Sequence, residues 1–200
     1  MSDLEGLPRC CSMLTRLAPV PPLTEADSGL TVDDAYAIQQ VQIASRIAGG
    51  AAIVGYKVGL TSEPVRRQFG VDAPDFGHLL SDMAHAADAP IRISQFLQRR
   101  AEPEIALVLG RPLRGPQVSV SDIVAATAYA VPAIEIIDSR IAGWKIGLVD
   151  TVADNASSGG FVVRRIAPQR RHARTKASCV SSSARPQSPV RAKASLTSSA

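Results

Sequence analysis

The sequence predicts a mixed α/β fold of the α+β kind, on three observations. Residues 31–49 alternate apolar and polar side chains at helical spacing, between a good N-cap and a pair of glycines. Residues 51–62, 104–109 and 132–138 are short apolar runs rich in β-formers and bounded by glycine, proline or charge. Aromatic residues make up only 4% of the chain, so the shared core has to be built mainly from Ala, Val, Ile and Leu.

In chain order, TVDDAYAIQQVQIASRIAG takes Thr31 as its N-cap and carries Asp33 and Asp34 in the first turn, where carboxylates meet the positive end of the helix dipole. Ala35, Ile38, Val41, Ile47 and Ala48 are its expected apolar face, and Gly49 and Gly50 its stop. AAIVGYKVGLTS reads as a strand leading into a tight loop. EPVRRQFG reads as a short helix with Pro64 in its first turn, where the missing N–H has no partner to lose. VDAPDFGHLLSDM is expected as a turn-rich loop leading into apolar residues. Residues 104–109 are expected as a strand, residues 118–130 as a helix capped by Ser119 or Ser121, and residues 132–138 as a second strand.

The net charge of +4 hides a break. Residues 1–160 hold 13 Lys and Arg against all 18 acids, a net of −5, and residues 161–200 carry +9. From about residue 164 the chain has no acid and no aromatic residue, and Ser, Arg, Ala and Pro dominate. Such a segment buries too little apolar surface to offset its ordering entropy, so disorder is expected. A basic tail can bind RNA, but this one offers no aromatic to stack a base and no repeat, so a nucleic-acid partner is not expected. The chain contains no run of eighteen apolar residues and opens with a poor signal peptide, which points away from a membrane and toward the cytoplasm. Cys10, Cys11 and Cys179 fit neither a disulfide framework nor a CxxC metal pattern.

The chemistry is concentrated in a few misplaced charges. In a strand, residues two apart share a face, so Glu102 and Glu104 present their carboxylates together while Pro103 faces away. Two hard oxygen ligands side by side suit Mg²⁺ or Mn²⁺, although an E-x-E at a strand start is more often a solvated edge. Glu135 lies among Ile134, Ile136 and Ile137, where a charge needs either a cation or an ion-pair partner such as Arg140 or Lys145. One metal shared with Glu102 and Glu104 would satisfy all three. Lys57, between apolar neighbours in YKVGL, is either a proton shuttle beside that metal or a lysine snorkelling to the surface. Asp75 in PDFG is set by a preceding proline and a following Phe-Gly, a posture shared by exposed and catalytic acids. His78 and His85 have no Cys or His partner at ligand spacing, and no GxSxG, Walker A or GxGxxG motif is present.

Five blocks, KVGLTS (57–62), GVDAPDFGHL (70–79), EPEIALVLG (102–110), PAIEIIDSRI (132–141) and WKIGLVDTVADNASSG (144–159), together resemble the 2-keto-4-pentenoate hydratase family of the fumarylacetoacetate hydrolase superfamily. The resemblance implies a β-roll fold with an N-terminal helical segment and a divalent metal held by Glu102, Glu104 and Glu135. It implies Lys57 and Asp75 as the acid/base pair, with Thr61, Lys145 and Ser158 in the substrate pocket. The implied reaction is addition of water to a 2-hydroxy-2,4-dienoate, through its 2-oxo-alkenoate form, to give a 4-hydroxy-2-oxo acid in aromatic-compound breakdown, in a homo-oligomer. Sister enzymes decarboxylate 4-oxalocrotonate with the same kind of metal chelate, which makes that reaction the alternative.

The resemblance covers roughly residues 31–160. Residues 1–30 match poorly, residues 31–163 form the expected catalytic domain, and residues 164–200 replace the strands that complete the family's roll. A shift of reading frame would produce such a break, and resequencing the locus tests it. A fold incomplete at its C-terminus is expected to leave strands unpaired, which favours aggregation or an inactive homologue that only partners intact relatives.

Overall fold

The computed structural model describes residues 18–164. The order of elements is α1 (Leu23–Ala26), α2 (Val32–Ala48), β1 (Ile53–Gly59), α3 (Glu63–Phe69), β2 (Asp75–Leu80), β3 (Ala84–His85), β4 (Arg100–Leu109), α4 (Val120–Ala126), β5 (Thr127–Ile137), α5 (Leu148–Ala153) and β6 (Ser158–Val163), with short 3₁₀ turns between several of them. This is the mixed fold expected. Cys10, Cys11, Cys179 and the basic tail from residue 165 lie outside the described residues.

Helix α2 begins where its cap predicts. The Asp34 N–H donates to Thr31 Oγ1 at 3.2 Å and the Thr31 N–H donates to Asp34 Oδ2 at 2.9 Å, a reciprocal capping box. Its buried face differs from the one expected. Ala35, Ile38, Gln39 and Ile43 are buried, while Val41, Ile47 and Ala48 are exposed. The inward stripe therefore passes through a glutamine, which a search for apolar spacing passes over. Gln39 Nε2 donates to the carbonyls of Phe76 (3.0 Å) and Val152 (2.9 Å), so the buried amide is satisfied.

Two further boundaries move. Residues 75–80 are strand β2 rather than loop. The turn ends at Pro74, and DFGHLL pairs antiparallel with β1, placing Gly77 opposite Lys57 and Asp75 opposite Gly59. The helix after Ser119, capped through Asp122, ends at Ala126 instead of running to residue 130. From Thr127 the chain pairs with β4 along nearly its whole length, so ladder hydrogen bonds override the helical tendency of the alanines.

Strands β3, β6, β5 and β4 form one sheet in that order, β3–β6 parallel and the other pairs antiparallel. Strands β1 and β2 form a second. The main core gathers Val20, Leu23, Ala35, Ile38, Ile141, Val152 and Ala153 from α1, α2, α5 and their flanks, and a smaller cluster holds Ile43, Leu80 and Met83. Each fully buried Val, Leu, Ile or Met among them contributes about 1.5–3 kcal/mol. Asp150 fastens the N-terminal segment by accepting from the Leu23 N–H at 2.7 Å. Among the described residues β4 is an edge strand, and its Ile105, Leu107 and Leu109 are exposed. No helix among the described residues is long and apolar enough to cross a membrane.

Candidate metal centre

The β4–β5 register sets Glu102 directly opposite Glu135, and the two-residue repeat brings Glu104 to the same face. One carboxylate oxygen from each lies within 4.8 Å of the others. Pro103 and Ile134 pair across the opposite face. Placing like charges across a ladder is unfavourable by itself, so the arrangement needs a counter-charge. Burial is the largest influence on Glu102 and raises its pKa. Lys57 pulls the other way, and Glu135 and Glu104 add to the rise. Burial likewise raises Glu104, followed by repulsion from Glu135.

Lys57 reaches the cluster from β1. Its Nζ stands 2.9 Å from Glu135 Oε1, with both side chains about nine-tenths buried, and donates to the Ala156 carbonyl at 2.8 Å. The ion pair is close in distance but its angles fall short of a hydrogen bond, so Glu135 Oε1 is buried without a hydrogen-bond partner. The glutamate's counter-ion is thus Lys57, not Arg140 or Lys145. Arg140 is committed to the fully buried Asp154. Three carboxylates against one ammonium leave an excess of negative charge around an orphaned oxygen, and hard oxygens around a divalent ion of about 2.1 Å bond length lie up to about 4.2 Å apart. Small side-chain rotations would close the present spacing. The residues fit a divalent cation.

Asp75 opens β2 rather than sitting in a loop, and is buried with Oδ1 unpartnered. Its pKa is raised chiefly by burial, against the pull of Lys57 and hydrogen bonding with Thr151. A Cβ at Gly59 would overlap Oδ1, so glycine there makes room for the carboxylate. Ser158 begins β6, buried, with Oγ also unpartnered. Just before it, Asn155, Ala156 and Ser157 have φ of 54°, 52° and 53°, three successive left-handed residues with side chains, a conformation costing about 1–2 kcal/mol at Ala156 and at Ser157.

The structure brings Lys57, Glu102, Glu104 and Glu135 into mutual electrostatic contact, with Asp75 coupled to Lys57. Thr61 is exposed beyond β1, its carbonyl accepting from Arg66 at 2.8 Å, and Lys145 is exposed after the turn at residues 142–144. His78 and His85 serve packing: His78 Nδ1 faces Gln39 Oε1 at 3.1 Å, and His85 lies edge-on to Phe96.

Curated relatives align with most of the chain. It is 46% identical to 2-keto-4-pentenoate hydratase 2 of Dechloromonas aromatica (strain RCB) over 145 residues, covering 72% of this chain and 55% of that protein. It is 48% identical to 2-keto-4-pentenoate hydratase of Paraburkholderia xenovorans (strain LB400) over 145 residues, 72% and 54% respectively. The chain belongs to the 2-keto-4-pentenoate hydratase family. It spans a little over half the length of these relatives. No protein-family model matches. Among solved structures, 4-oxalocrotonate decarboxylase from Pseudomonas putida G7, complexed with magnesium and adipate, superposes with a TM-score of 0.73 at 33% identity, over 80% of this chain and 61% of that one. The fold is therefore shared by hydratase-family and decarboxylase proteins.

Sequence reading of this family member missed Asn155, Gln39 and the Arg140–Asp154 pair. Asn155 carried a usable signal, since asparagine tolerates left-handed backbone, but in DNASSG it reads equally as an ordinary turn.

Proposed function

We propose that this chain carries the metal centre and proton-handling groups of a hydratase that adds water to a 2-hydroxy-2,4-dienoate, giving a 4-hydroxy-2-oxo acid. The observation that best supports this is the convergence of Glu102, Glu104 and Glu135 beside Lys57. The relatives named as hydratases are also closer in sequence than the decarboxylase, 46–48% against 33% identity. Held by the three carboxylates, Mg²⁺ or Mn²⁺ would supply a Lewis acid for negative charge developing at the substrate's 2-oxo oxygen.

The chain's own groups account for the remaining work. Lys57 Nζ, anchored on the Ala156 carbonyl, stands beside the cluster and can hold or hand on a proton there. Burial favours the protonated form of Asp75, so its carboxyl can hold a proton in less acidic solution than an exposed aspartate can, and the unpartnered Oδ1 is free to accept one. The unpartnered Ser158 hydroxyl is a donor for a substrate carboxylate. Thr61 and Lys145 belong to the proposal as outer substrate contacts on the strength of the family resemblance alone. A cytoplasmic setting and self-association complete it.

The test is loss of dienoate absorbance by the purified full chain, with and without chelator, while CO₂ is monitored from 4-oxalocrotonate. Chelator-sensitive loss of dienoate without CO₂ supports the hydratase. CO₂ release would instead favour the decarboxylase, and no turnover of either substrate would leave an inactive homologue.

A further inference from the structure

We infer that Asn155 is a positioning residue for Lys57: its side-chain amide, clamped on the backbone of His78, fixes the left-handed turn 155–157 so that the Ala156 carbonyl meets Lys57 Nζ. The inference rests on the proposed place of Lys57 in the functional site.

The turn is not one its residues choose. Ala156 and Ser157 both carry a Cβ, yet both sit at φ near +50°, a region that favours glycine. Such a conformation persists only where its surroundings over-determine it. Here they do so from several sides. The His78 N–H donates to Asn155 Oδ1 at 2.7 Å and Asn155 Nδ2 donates to the His78 carbonyl at 2.9 Å, so one side chain satisfies both backbone groups of a strand residue. The Ser157 N–H donates to the Asp154 carbonyl at 2.9 Å, and the Asp138 N–H to the Ser157 carbonyl at 2.7 Å. Gly77 permits the approach: a Cβ there would stand 2.6 Å from the Asn155 carbonyl oxygen.

What the clamp holds is as informative as how. Gly77 lies opposite Lys57 in the β1–β2 ladder, so the turn is referenced to the same strand pair that carries Lys57 and Asp75. Its product is one buried carbonyl, that of Ala156, 2.8 Å from Nζ. A lysine has four rotatable side-chain bonds, and the ion pair to Glu135 lacks hydrogen-bond geometry, so the carbonyl is the directional restraint on the ammonium. A merely structural turn, serving only to start β6 at Ser158, would need no such aim.

The experiment uses the full chain in chelator and compares acetylation rates of Lys57 and exposed Lys145 by peptide mass spectrometry. Asn155→Gly keeps the backbone region permitted and removes the clamp. It is expected to acetylate Lys57 at least tenfold faster while Lys145 stays within twofold. Ala156→Gly keeps the carbonyl and suits the left-handed turn, so Lys57 should react at the parent rate. Thr31→Ala, which removes the exposed capping box of α2, controls for general destabilisation and should leave Lys57 within twofold. If Asn155→Gly fails to fold, Asn155→Asp, which keeps the acceptor for the His78 N–H and loses the donor to its carbonyl, takes its place with the same expected rise. A folded clamp variant with the parent Lys57 rate, or a Thr31→Ala rise matching it, overturns the inference. Where the parent turns over dienoate, kcat of the clamp variant should fall at least tenfold with KM within twofold. An inactive parent would sink the proposed function alone, because the acetylation ratio is read without turnover.

Discussion

Replacing Lys57 with methionine keeps the length of the side chain and removes its charge. Its Nζ is 2.9 Å from Glu135 Oε1, and both side chains are largely withdrawn from solvent at 12% and 9% exposure. At an effective dielectric constant of about 20, that attraction is about 6 kcal/mol. Desolvation of the two ions cancels much of it, so the pair adds little net stability. Removing one partner is different, because Glu135 then remains buried and uncompensated, which costs about 3–5 kcal/mol. In chelator, Lys57→Met should therefore lower the melting temperature by roughly 10 °C for a domain of this size. Two recoveries follow from the same reasoning. Adding Glu135→Gln to Lys57→Met should return most of the loss, since neither charge is left. Magnesium at about a hundred times its Kd should return about 2.7 kcal/mol, since the cation takes over the role of counter-charge. Urea unfolding of the three proteins, with and without Mg²⁺, reads all of this. A Lys57→Met chain within about 0.5 kcal/mol of the parent in chelator, or one that Mg²⁺ leaves unchanged, would refute the reasoning.

Other expectations are smaller. Glu102→Gln removes a like charge facing Glu135 across the ladder and should stabilise the metal-free chain by about 0.2–1 kcal/mol, while weakening Mg²⁺ binding at least tenfold by calorimetry. Because the folded chain holds Glu102 and Glu104 above their ordinary value of 4.5, their contribution is most favourable below that pH and is lost as pH rises through the raised values. The difference in stability between the parent and the Glu102→Gln/Glu104→Gln chain, measured in chelator, should therefore shift toward the variant on going from acid to neutral pH. Gly59→Ala drives a methyl into Asp75 Oδ1 and should destabilise by about 1–3 kcal/mol, with turnover falling more than stability alone explains. Thr31→Ala removes the capping box of α2 at a cost of about 1 kcal/mol and should leave Mg²⁺ affinity unchanged.

What the sequence made legible was local. The Thr31 cap, Pro64 in its short helix and the same-face pair Glu102 and Glu104 are fixed by chemistry within a few residues, and each stands where the pattern puts it. Glu135 was legible because a charge among isoleucines demands a partner, but the identity of that partner was not. Lys57 lies on another sheet, and nothing near residue 135 announces it. Strand β2 was hidden because Pro74 and Gly77 read as turn residues, whereas the glycine is there to admit the Asn155 turn. The end of α4 was set by pairing with β4, a long-range effect that local propensity does not contain. The inward face of α2 was misjudged for the same reason: Gln39 is buried by partners on β2 and α5.

The sharpest single measurement is a Mn²⁺ titration of the metal-free full chain, followed by loss of the free-ion paramagnetic resonance signal. One tight Mn²⁺ per chain, abolished by joint replacement of Glu102, Glu104 and Glu135 with glutamine, is the result expected if the three carboxylates hold one ion. Unchanged binding in the triple variant, or no binding by a folded parent, would contradict it.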